Sequence, residues 1–410
     1  MNYKLITIII LCIVFVYKLV LLYLKIQSTK NKIPDNVADL YDKETYAKYC
    51  AYSKESNRLE VIIACINFIV AIVLFSLNVF AAFAGLFPDS VFMQLFAVIL
   101  LYCLTDIVTL PLYYYDTMKI EGKYGFNKTT TGTFFADKIK SFIITLVIVT
   151  VIAWVLSLLH DLLGNYMALA FAGFLAIVFL LIAFLFPVFT RIFNKFTPLE
   201  EGELRTKLTA LLTKHGYKVR EIEVMDGSKR TTRANAYFSG MGKLKTIVLY
   251  DTLVNNYTPD EICAVFAHEL GHGIHHDIIK GQLISFIQFA MLAALAGLTV
   301  SIPEIFTAFG FSGVNYGFAI LFILEAEFSL VSPLYEIFSN AVSRHNEYRA
   351  DESAVEEGYG EQLIASLKKL TKESFGDVAP SPALIVLKYN HPSLSQRITA
   401  VEAKLGRKLS

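Results

Sequence analysis

The sequence has few charged residues and few cysteines, and each shortage excludes a class of protein. Only 18% of its 410 residues are charged, against about 25% in a typical soluble domain, whereas 55% are apolar. This composition excludes an ordinary soluble protein and a disordered one. The five cysteines include no C-x-x-C pair, so neither a disulfide framework nor a thiolate zinc site is expected. A net charge of only +1 gives no basic excess that would favour nucleic acid.

The apolar residues are concentrated in seven runs, and a membrane-crossing helix needs about 20 such residues. The runs are 5–24, 60–86, 91–114, 141–160, 166–188, 282–301 and 317–339. The first run also has the length of a signal peptide. It contains Lys18 and lacks an obvious small-residue cleavage site, so a retained anchor is favoured. We therefore predict a mostly α-helical, multi-pass membrane protein.

Lysine and arginine alternate between the two sides of these runs. Seven lie between the first and second runs, five between the third and fourth, thirteen between the fifth and sixth, and ten after the seventh. The other three loops contain none. Because basic loops face the cytosol, the N-terminus is predicted to lie outside or in a lumen and the C-terminus in the cytosol. The membrane is either a bacterial inner membrane or the endoplasmic reticulum.

Four acidic residues lie within the apolar runs: Asp106, Glu325, Glu327 and Glu336. Ionisable groups at membrane depth usually face a bundle interior or a watery cavity. Glu325 and Glu327 are therefore predicted to face a polar cavity. Glu336 fits a membrane interface equally well.

Two stretches, about 190–280 and 340–410, are polar enough to lie outside the membrane. The first begins with a helical pattern at 201–215 and continues with strand-like segments at 221–225, 234–239 and 245–251. The last two segments flank a turn at 240–242 and predict a β-hairpin.

A strong helix start precedes a metal-binding motif in the first polar stretch. Thr258 at the cap, Pro at the first helical position and Glu three residues after the cap favour a helix. The helix contains His268-Glu269-Leu270-Gly271-His272, whose two histidines lie on one face. They can bind one metal ion while Glu269 takes a proton from water, and neutral imidazoles favour zinc. The alternative is an amphipathic helix with two incidental histidines.

A catalytic zinc needs a third protein ligand, and the segment 343–351 provides a candidate. Glu347 would bind the metal, and Asp351 would orient a ligand imidazole through its ring N–H. Two membrane spans separate this segment from the histidines, so the chain returns to the same membrane face. The alternative is a pair of surface acids on a charged helix. His275 and His276 are predicted to be solvated or to lie behind the ligands, because one tetrahedral ion cannot bind four histidines.

Two further segments fit a peptidase site less specifically. His391, which precedes Pro392, would donate a hydrogen bond to an oxyanion, although spacing alone favours a simple turn histidine. The strand that includes Asn235 and Ala236 would pair with an extended substrate. An ordinary hairpin edge fits that strand equally well.

At these residues the chain resembles type I CAAX prenyl endopeptidases, which are integral-membrane zinc metalloproteases. Besides the metal helix, the acid pair and the final His-Pro, the resemblance includes IEGKYGFNKTT (120–130), NKFTPLEEGELR (194–205), DGSKR (226–230), NAYF (235–238) and KTIVLYDTL (245–253). The metal helix and acid pair are typical of a wider metalloprotease clan. The other segments are more specific to this family.

The resemblance implies seven membrane helices around a water-filled chamber, with a gluzincin-type protease domain and a small β-hairpin or sheet at its cytosolic end. It implies one Zn²⁺ per chain on His268, His272 and Glu347, with Glu269 as the base. It makes Glu325 and Glu327 possible chamber-lining groups.

The resemblance also implies roles for residues around the metal. His391 would be a transition-state donor supported by Arg397, and Asn235 and Ala236 would belong to the substrate-pairing strand. One departure is Gly273 with the following histidine pair, where relatives have bulkier residues; it affects no ligand.

The predicted organisation has four parts: 1–190 with five spans, 191–280 with the metal helix, 281–340 with two spans, and 341–410 with the third ligand. The predicted substrate is a prenylated or strongly apolar peptide, in contact with membrane lipid. Neither nucleic acid nor an obligate protein partner is expected. Two alternatives stay open: a general quality-control metalloprotease of membrane proteins, and a seven-span transporter with a chance H-E-x-x-H.

Overall fold

The computed structural model of the chain describes residues 1–239 and 244–407, and most of them are helical. The helices in chain order are α1 (Tyr3–Ser28), α2 (Lys43–Ser76), α3 (Val79–Ala84), α4 (Val91–Tyr115), α5 (Thr131–Leu163), α6 (Met167–Phe193), α7 (Glu203–Lys214), α8 (Asp251–Asn256), α9 (Pro259–Ile274), α10 (Asp277–Val300), α11 (Pro303–Ala308), α12 (Tyr316–Phe322), α13 (Ser329–Glu356), α14 (Gly360–Glu373), α15 (Pro382–Lys388) and α16 (Leu394–Lys404). Six helical segments are long and apolar enough to cross a membrane. The helix α6, with 27 residues, is a seventh long helix. The predicted fold class is confirmed.

The second predicted span, 60–86, starts inside a longer helix and is wrong at its C-terminal end. α2 begins earlier, at Lys43, because the side chain of Asp42 accepts a hydrogen bond from the Thr45 backbone N–H at 2.8 Å. It ends at Ser76, and Asn78 then adopts the left-handed conformation with φ 55°, which asparagine tolerates better than most residues. Apolar composition alone does not reveal this break.

Two π-helical segments extend the membrane helices. Asp116–Glu121 continues α4, and Ile323–Phe328 joins α12 to α13. Around the second segment, Tyr102 on α4 donates to Glu325 at 2.5 Å, and Thr299 on α10 donates to Glu327 at 2.8 Å. Both acids therefore contact polar groups of neighbouring helices inside the bundle. The water-filled chamber itself stays a prediction.

Close contacts between helices fix the centre of the bundle. The ring of Phe318 lies 5.1 Å from that of Phe309 and 5.9 Å from that of Phe75. A Cβ atom on Gly317 would lie 2.5 Å from the carbonyl oxygen of Leu95, so the absence of a side chain lets α12 contact α4. Small residues serve this purpose where membrane helices approach closely.

The polar stretch after α6 forms a four-stranded sheet in the order β1-β2-β4-β3. Its strands are β1 (Phe196–Pro198), β2 (Lys218–Met225), β3 (Ala236–Ser239) and β4 (Leu244–Tyr250). β3 and β4 pair antiparallel as the predicted hairpin requires, but its turn at 240–242 lies outside the described residues. The sequence did not predict the parallel pairing of β2 with β4. It also missed β1, because a strand of three residues is too short to show an alternating pattern.

The sheet and α7 form one side of the core that fixes the metal helix α9. Leu208 and Leu212 of α7, Ile247 and Leu249 of β4, and Phe266 of α9 are buried together. α7 agrees with the helix predicted at 201–215. On its other side α9 packs against α13 and α14. Packed elements therefore hold α9 on both sides.

Candidate metal centre

The metal helix α9 begins at a complete capping box. The backbone N–H of Thr258 donates to Glu261 Oε2 at 2.8 Å, and the N–H of Glu261 donates to Thr258 Oγ1 at 3.3 Å. The helix then continues without a break through both motif histidines. The rings of His268 and His272 therefore lie on one face, with centroids 4.9 Å apart.

Glu347 of α13 lies next to both of these histidines. Its Oε2 lies 3.5 Å from His268 Nε2, and its Oε1 lies 3.3 Å from His272 Nε2. One nitrogen from each histidine and one carboxylate oxygen lie within 4.8 Å of one another. Among the described residues, this is the one such group of three. The structure therefore brings together the three residues that the sequence nominates as ligands.

The glycine inside the motif explains how α13 comes so close. A Cβ atom on Gly271 would lie 2.9 Å from the Cα of Ala350 and 2.9 Å from the Cβ of Ser353. Real Cβ atoms do not approach backbone that closely, so any larger residue would push α13 away. Gly271 therefore permits the helix contact that brings Glu347 to the histidines.

A carboxylate lies behind each candidate ligand histidine. His268 Nδ1 is 2.9 Å from Asp351 Oδ1, and His272 Nδ1 is 3.1 Å from Asp277 Oδ2. Each carboxylate can fix the tautomer in which Nε2 faces the centre with its lone pair. Sequence reasoning missed Asp277. The available signal was its position as the first acid after the metal helix, where the left-handed His276, with φ 56°, turns the chain back.

Arg397 of α16 closes the buried side of the centre. It binds Asp351 with two nitrogens, Nε at 2.9 Å and Nη2 at 2.6 Å, and its Nη1 lies 3.4 Å from Glu347 Oε2. This two-pronged geometry orients a carboxylate more firmly than a single contact does. Arg397 therefore contacts the acid that orients His268 as well as the third candidate ligand.

The charges of the centre favour a bound cation. Burial lowers the pKa of His272, but hydrogen bonds to Glu347 and Asp277 outweigh this effect and raise the pKa to about 9. Burial raises the pKa of Glu347, but contacts with His272, His268 and Arg397 bring it below its ordinary value. For Asp351, the charge of Arg397 and the hydrogen bond to His268 outweigh burial and lower the pKa to about 2.

The donor set fits a metal ion. Glu347 Oε2 is buried and accepts no hydrogen bond, although Arg397 Nη1 lies 3.4 Å away, so this oxygen still lacks the close partner that a buried polar atom needs. Two imidazole nitrogens and this oxygen point at one place, and both imidazoles are oriented from behind.

Glu269 and His391 lie at the open side of the centre. Glu269 is half-buried and accepts no hydrogen bond from the described residues, and its charge raises the pKa of His272. His391 Nε2 lies 3.3 Å from Glu347 Oε1, and its side chain is 54% exposed. The other ring nitrogen of His391, Nδ1, lies 2.8 Å from the side-chain oxygen of Asn390, so this ring presents Nε2 to the candidate ligands.

Two family comparisons cover nearly the whole chain. Residues 22–195 match the family described as CAAX prenyl protease N-terminal, five membrane helices, and residues 198–405 match peptidase family M48. The chain belongs to peptidase family M48. The resemblance inferred from sequence is thus confirmed, and the transporter alternative is wrong.

Individual relatives agree with this assignment. The M48 peptidase described here is 31% identical to CAAX prenyl protease 1 of Saccharomyces cerevisiae, over 93% of this chain and 90% of that protein. It is 28% identical to the CAAX prenyl protease 1 homolog of Homo sapiens, over 92% of this chain and 90% of that protein. The crystal structure of S. mikatae Ste24p superposes with a TM-score of 0.92 at 28% identity, over 98% of this chain and 99% of that one.

The strand β3 of this M48 peptidase forms an edge of the sheet beside α9. Asn235 lies just before the strand, not within it, and its carbonyl accepts a hydrogen bond from the Tyr250 N–H at 3.0 Å. Since successive residues of a strand point their backbone groups in opposite directions, those of Ala236 face the free edge. The Ala236 N–H donates a hydrogen bond at 2.9 Å to the side-chain oxygen of Asn235.

The loop leading into β3 is attached to the membrane helices. Arg233 Nη2 lies 3.1 Å from the hydroxyl of Tyr52 on α2 and 3.3 Å from Glu121 Oε1. Asn127 pairs with Thr231 as an isolated antiparallel bridge. The segment 120–130 that marks the family in sequence therefore contacts the loop before the edge strand.

The two histidines after the metal helix do not join the ligand group. His275 Nε2 lies 3.3 Å from the hydroxyl of Ser353 on α13, and His276 is exposed. Neither belongs to the group of three converging donors. Their positions agree with the prediction that they lie outside the metal-ligand set.

Proposed function

We propose that this membrane metalloprotease binds one Zn²⁺ per chain and hydrolyses a peptide bond near the C-terminus of prenylated CAAX proteins. The observation that carries this proposal is the convergence of His268, His272 and Glu347, each in contact with an orienting charged group. The substrate class is supported by relatives that bear the name CAAX prenyl protease 1 and are similar over about nine tenths of the chain.

His268, His272 and Glu347 would hold the zinc ion. Two neutral imidazoles and a carboxylate form a donor set that zinc prefers, and three protein ligands leave a position for water. When bound there, Zn²⁺ supplies Lewis acidity that polarises a carbonyl and lowers the pKa of water. Asp351 and Asp277 keep the imidazoles in position, and Arg397 holds Asp351.

Glu269 is the proposed base. Its carboxylate follows the first candidate ligand on the same helix and accepts no hydrogen bond from the residues that the structure describes, so it is free to accept a proton from water. The same carboxylate then gives the proton to the leaving amine. A glutamine at this position would keep the shape and lose the proton acceptor.

His391 is the proposed donor to the oxyanion. Its Nε2 lies beside the candidate ligand Glu347, on the exposed side of the centre, where a scissile carbonyl would approach. Its backbone position comes from the loop between α15 and α16. His391 would thus act on the carbonyl oxygen, whereas Glu269 acts on the nucleophile.

The free edge of β3 is the proposed binding site for substrate backbone. Ala236 offers an N–H and a carbonyl at that edge, and the side chain of Asn235 covers the N–H until substrate arrives. An extended C-terminal peptide can pair there beside α9. Substrate side chains would then face the metal centre on one side and the membrane helices on the other.

The orientation and organisation of the chain also form part of the proposal. The distribution of basic loops supports a metal centre on the cytosolic face and an N-terminus outside or in a lumen, in the endoplasmic reticulum or a bacterial inner membrane. The four parts 1–190, 191–280, 281–340 and 341–410 would alternate between membrane and cytosol, and Glu325 and Glu327 would line a chamber open to substrate and lipid. A C-terminal reporter active outside the cytosol would contradict this orientation.

Cleavage of three matched peptides tests the substrate. The purified protein in detergent would be incubated with a farnesylated CAAX peptide, the same peptide without the lipid, and an unrelated unfolded peptide. Mass spectrometry should find removal of the last residues from the farnesylated peptide, lost with chelator and in Glu269→Gln. Equal cleavage of all three peptides would contradict the prenyl specificity and favour general quality control of membrane proteins.

A further inference from the structure

The helix α13 contacts the segment before His391 as well as the metal centre. Arg344 and Glu347 lie three residues apart and therefore occupy neighbouring positions on one side of α13. Arg344 Nη1 donates to the carbonyl oxygen of Ile385 at 3.0 Å and to that of Tyr389 at 2.6 Å. One guanidinium thus binds two carbonyls at the C-terminal end of α15.

These carbonyls lie where a short helix most needs a partner. The last carbonyls of a helix lack full hydrogen bonding within it: that of Ile385 accepts from the Tyr389 N–H at the cap, at a long 3.3 Å, and a positive charge there is favourable. α15 has only seven residues, and a helix of that length is not stable by itself. The contact from Arg344 therefore fixes the position at which the chain leaves α15.

His391 lies between this contact and a second fixed point. Tyr389 precedes it by two residues, and Ser393 follows it by two as the cap of α16. The Ser393 N–H donates to Gln396 Oε1 at 2.9 Å, and the Gln396 N–H donates to Ser393 Oγ at 3.3 Å, which completes a capping box. With both sides of the segment fixed, the His391 ring reaches the position 3.3 Å from Glu347.

We propose that Arg344 is a positioning residue that holds His391 in place for the reaction, a role that rests on the proposed function of His391. It does not touch the substrate. It ties the loop of the oxyanion donor to the helix that also provides the third metal ligand. The positions of the oxyanion donor and of the third metal ligand would therefore both be fixed by α13.

A lysine would not replace this arginine fully. The guanidinium is flat and presents several N–H groups in a fixed geometry, whereas an ammonium is a single mobile charge. Arg344→Lys keeps the charge but cannot reproduce the rigid contact to both carbonyls. It should therefore retain only part of the activity that Arg344→Ala loses.

A double-mutant cycle tests the proposal on any peptide that the wild-type protein cleaves, so the outcome does not depend on prenyl specificity. The rate constant for cleavage would be measured with enzyme in excess for the wild type, Arg344→Ala, His391→Ala and the double variant. Each single substitution should lower this constant by about 10- to 100-fold, with zinc content unchanged. Because Arg344 acts through His391, the double variant should be no slower than His391→Ala.

A second α13–α15 contact provides the matched control. Glu336 Oε2 lies 2.6 Å from Lys388 Nζ, and both side chains are partly exposed. Lys388→Gln removes this ion pair and should change the rate by less than about threefold, since exposed pairs contribute little. The positioning role would be overturned if Arg344→Ala lowered the rate constant equally in the wild type and in the His391→Ala variant. Full activity of either single variant would also overturn it.

Discussion

At the scale of single residues, Glu347 is the most heavily contacted group of the centre. Its two oxygens lie within 3.5 Å of both motif histidines, His391 and Arg397. Three of these partners are histidines that carry charge only when protonated, so a metal ion would add a more permanent positive charge. The same carboxylate therefore links the candidate metal site, the proposed oxyanion donor and the buried arginine.

Replacement of the proposed base should separate metal binding from catalysis. Glu269→Gln should keep one zinc per chain and lower kcat/KM by about 10²- to 10⁴-fold, because the amide cannot accept the proton of water. Zinc would be measured by elemental analysis and cleavage by mass spectrometry. Glu352→Gln on the exposed side of α13, where Glu352 pairs with Lys404, is the control and should be active. A Glu269→Gln protein with wild-type cleavage would refute the assignment.

The carboxylate behind His272 should matter for affinity. Asp277→Asn keeps a hydrogen-bond acceptor but loses the charge that supports the ligand imidazole, so the zinc dissociation constant should rise about 10- to 100-fold. A chelator competition titration measures this change. Asp260→Asn, in the exposed first turn of the same helix, should leave the affinity unchanged. If both variants bind zinc as the wild type does, Asp277 has no role behind the ligand.

At the scale of elements, the centre depends on the contact between α9 and α13. Gly271 faces Ala350 and Ser353 with no space for a Cβ atom. The metal motif therefore has two functions along one helix: histidines toward the metal, and a glycine toward the partner helix that carries Glu347.

An added methyl group should open this contact. Gly271→Ala should lower the free energy of unfolding by about 1–3 kcal/mol and weaken zinc binding, because α13 must move and carries Glu347 with it. Thermal unfolding with and without zinc measures both effects. Gly281→Ala on α10 is the control, since nothing lies within 4 Å of its Cβ position. Equal stability and zinc affinity of the two variants would show that the helices tolerate the methyl group.

Sequence patterns predicted some elements correctly and missed others, and each outcome has a physical reason. The capping box at Thr258 is a local signal and placed the start of α9 correctly. The end of α2 depends on one left-handed residue, Asn78, inside an apolar segment, so composition does not reveal it. The parallel pairing of β2 with β4 is a contact between distant segments, which no local pattern contains. Asp277 was missed because its approach to His272 depends on the turn at His276.

At the scale of the whole molecule, two membrane helices separate the halves of one site. The chain leaves α9, crosses as α10, and returns through α12 and α13 to reach Glu347. Two crossings, which the distribution of basic residues predicts, would make this return possible. The sequence could nominate the three ligands and the topology that joins them. It could not supply the distances, which depend on the packing of α13 against α9.

Metal content per chain is the most direct test of this account. Elemental analysis of the purified protein should find about one zinc in the wild type and far less in His268→Ala, His272→Ala and Glu347→Ala, since each removes one of three ligands. Zinc retained at the wild-type level after loss of Glu347 would contradict the claim that two membrane-separated segments hold one ion.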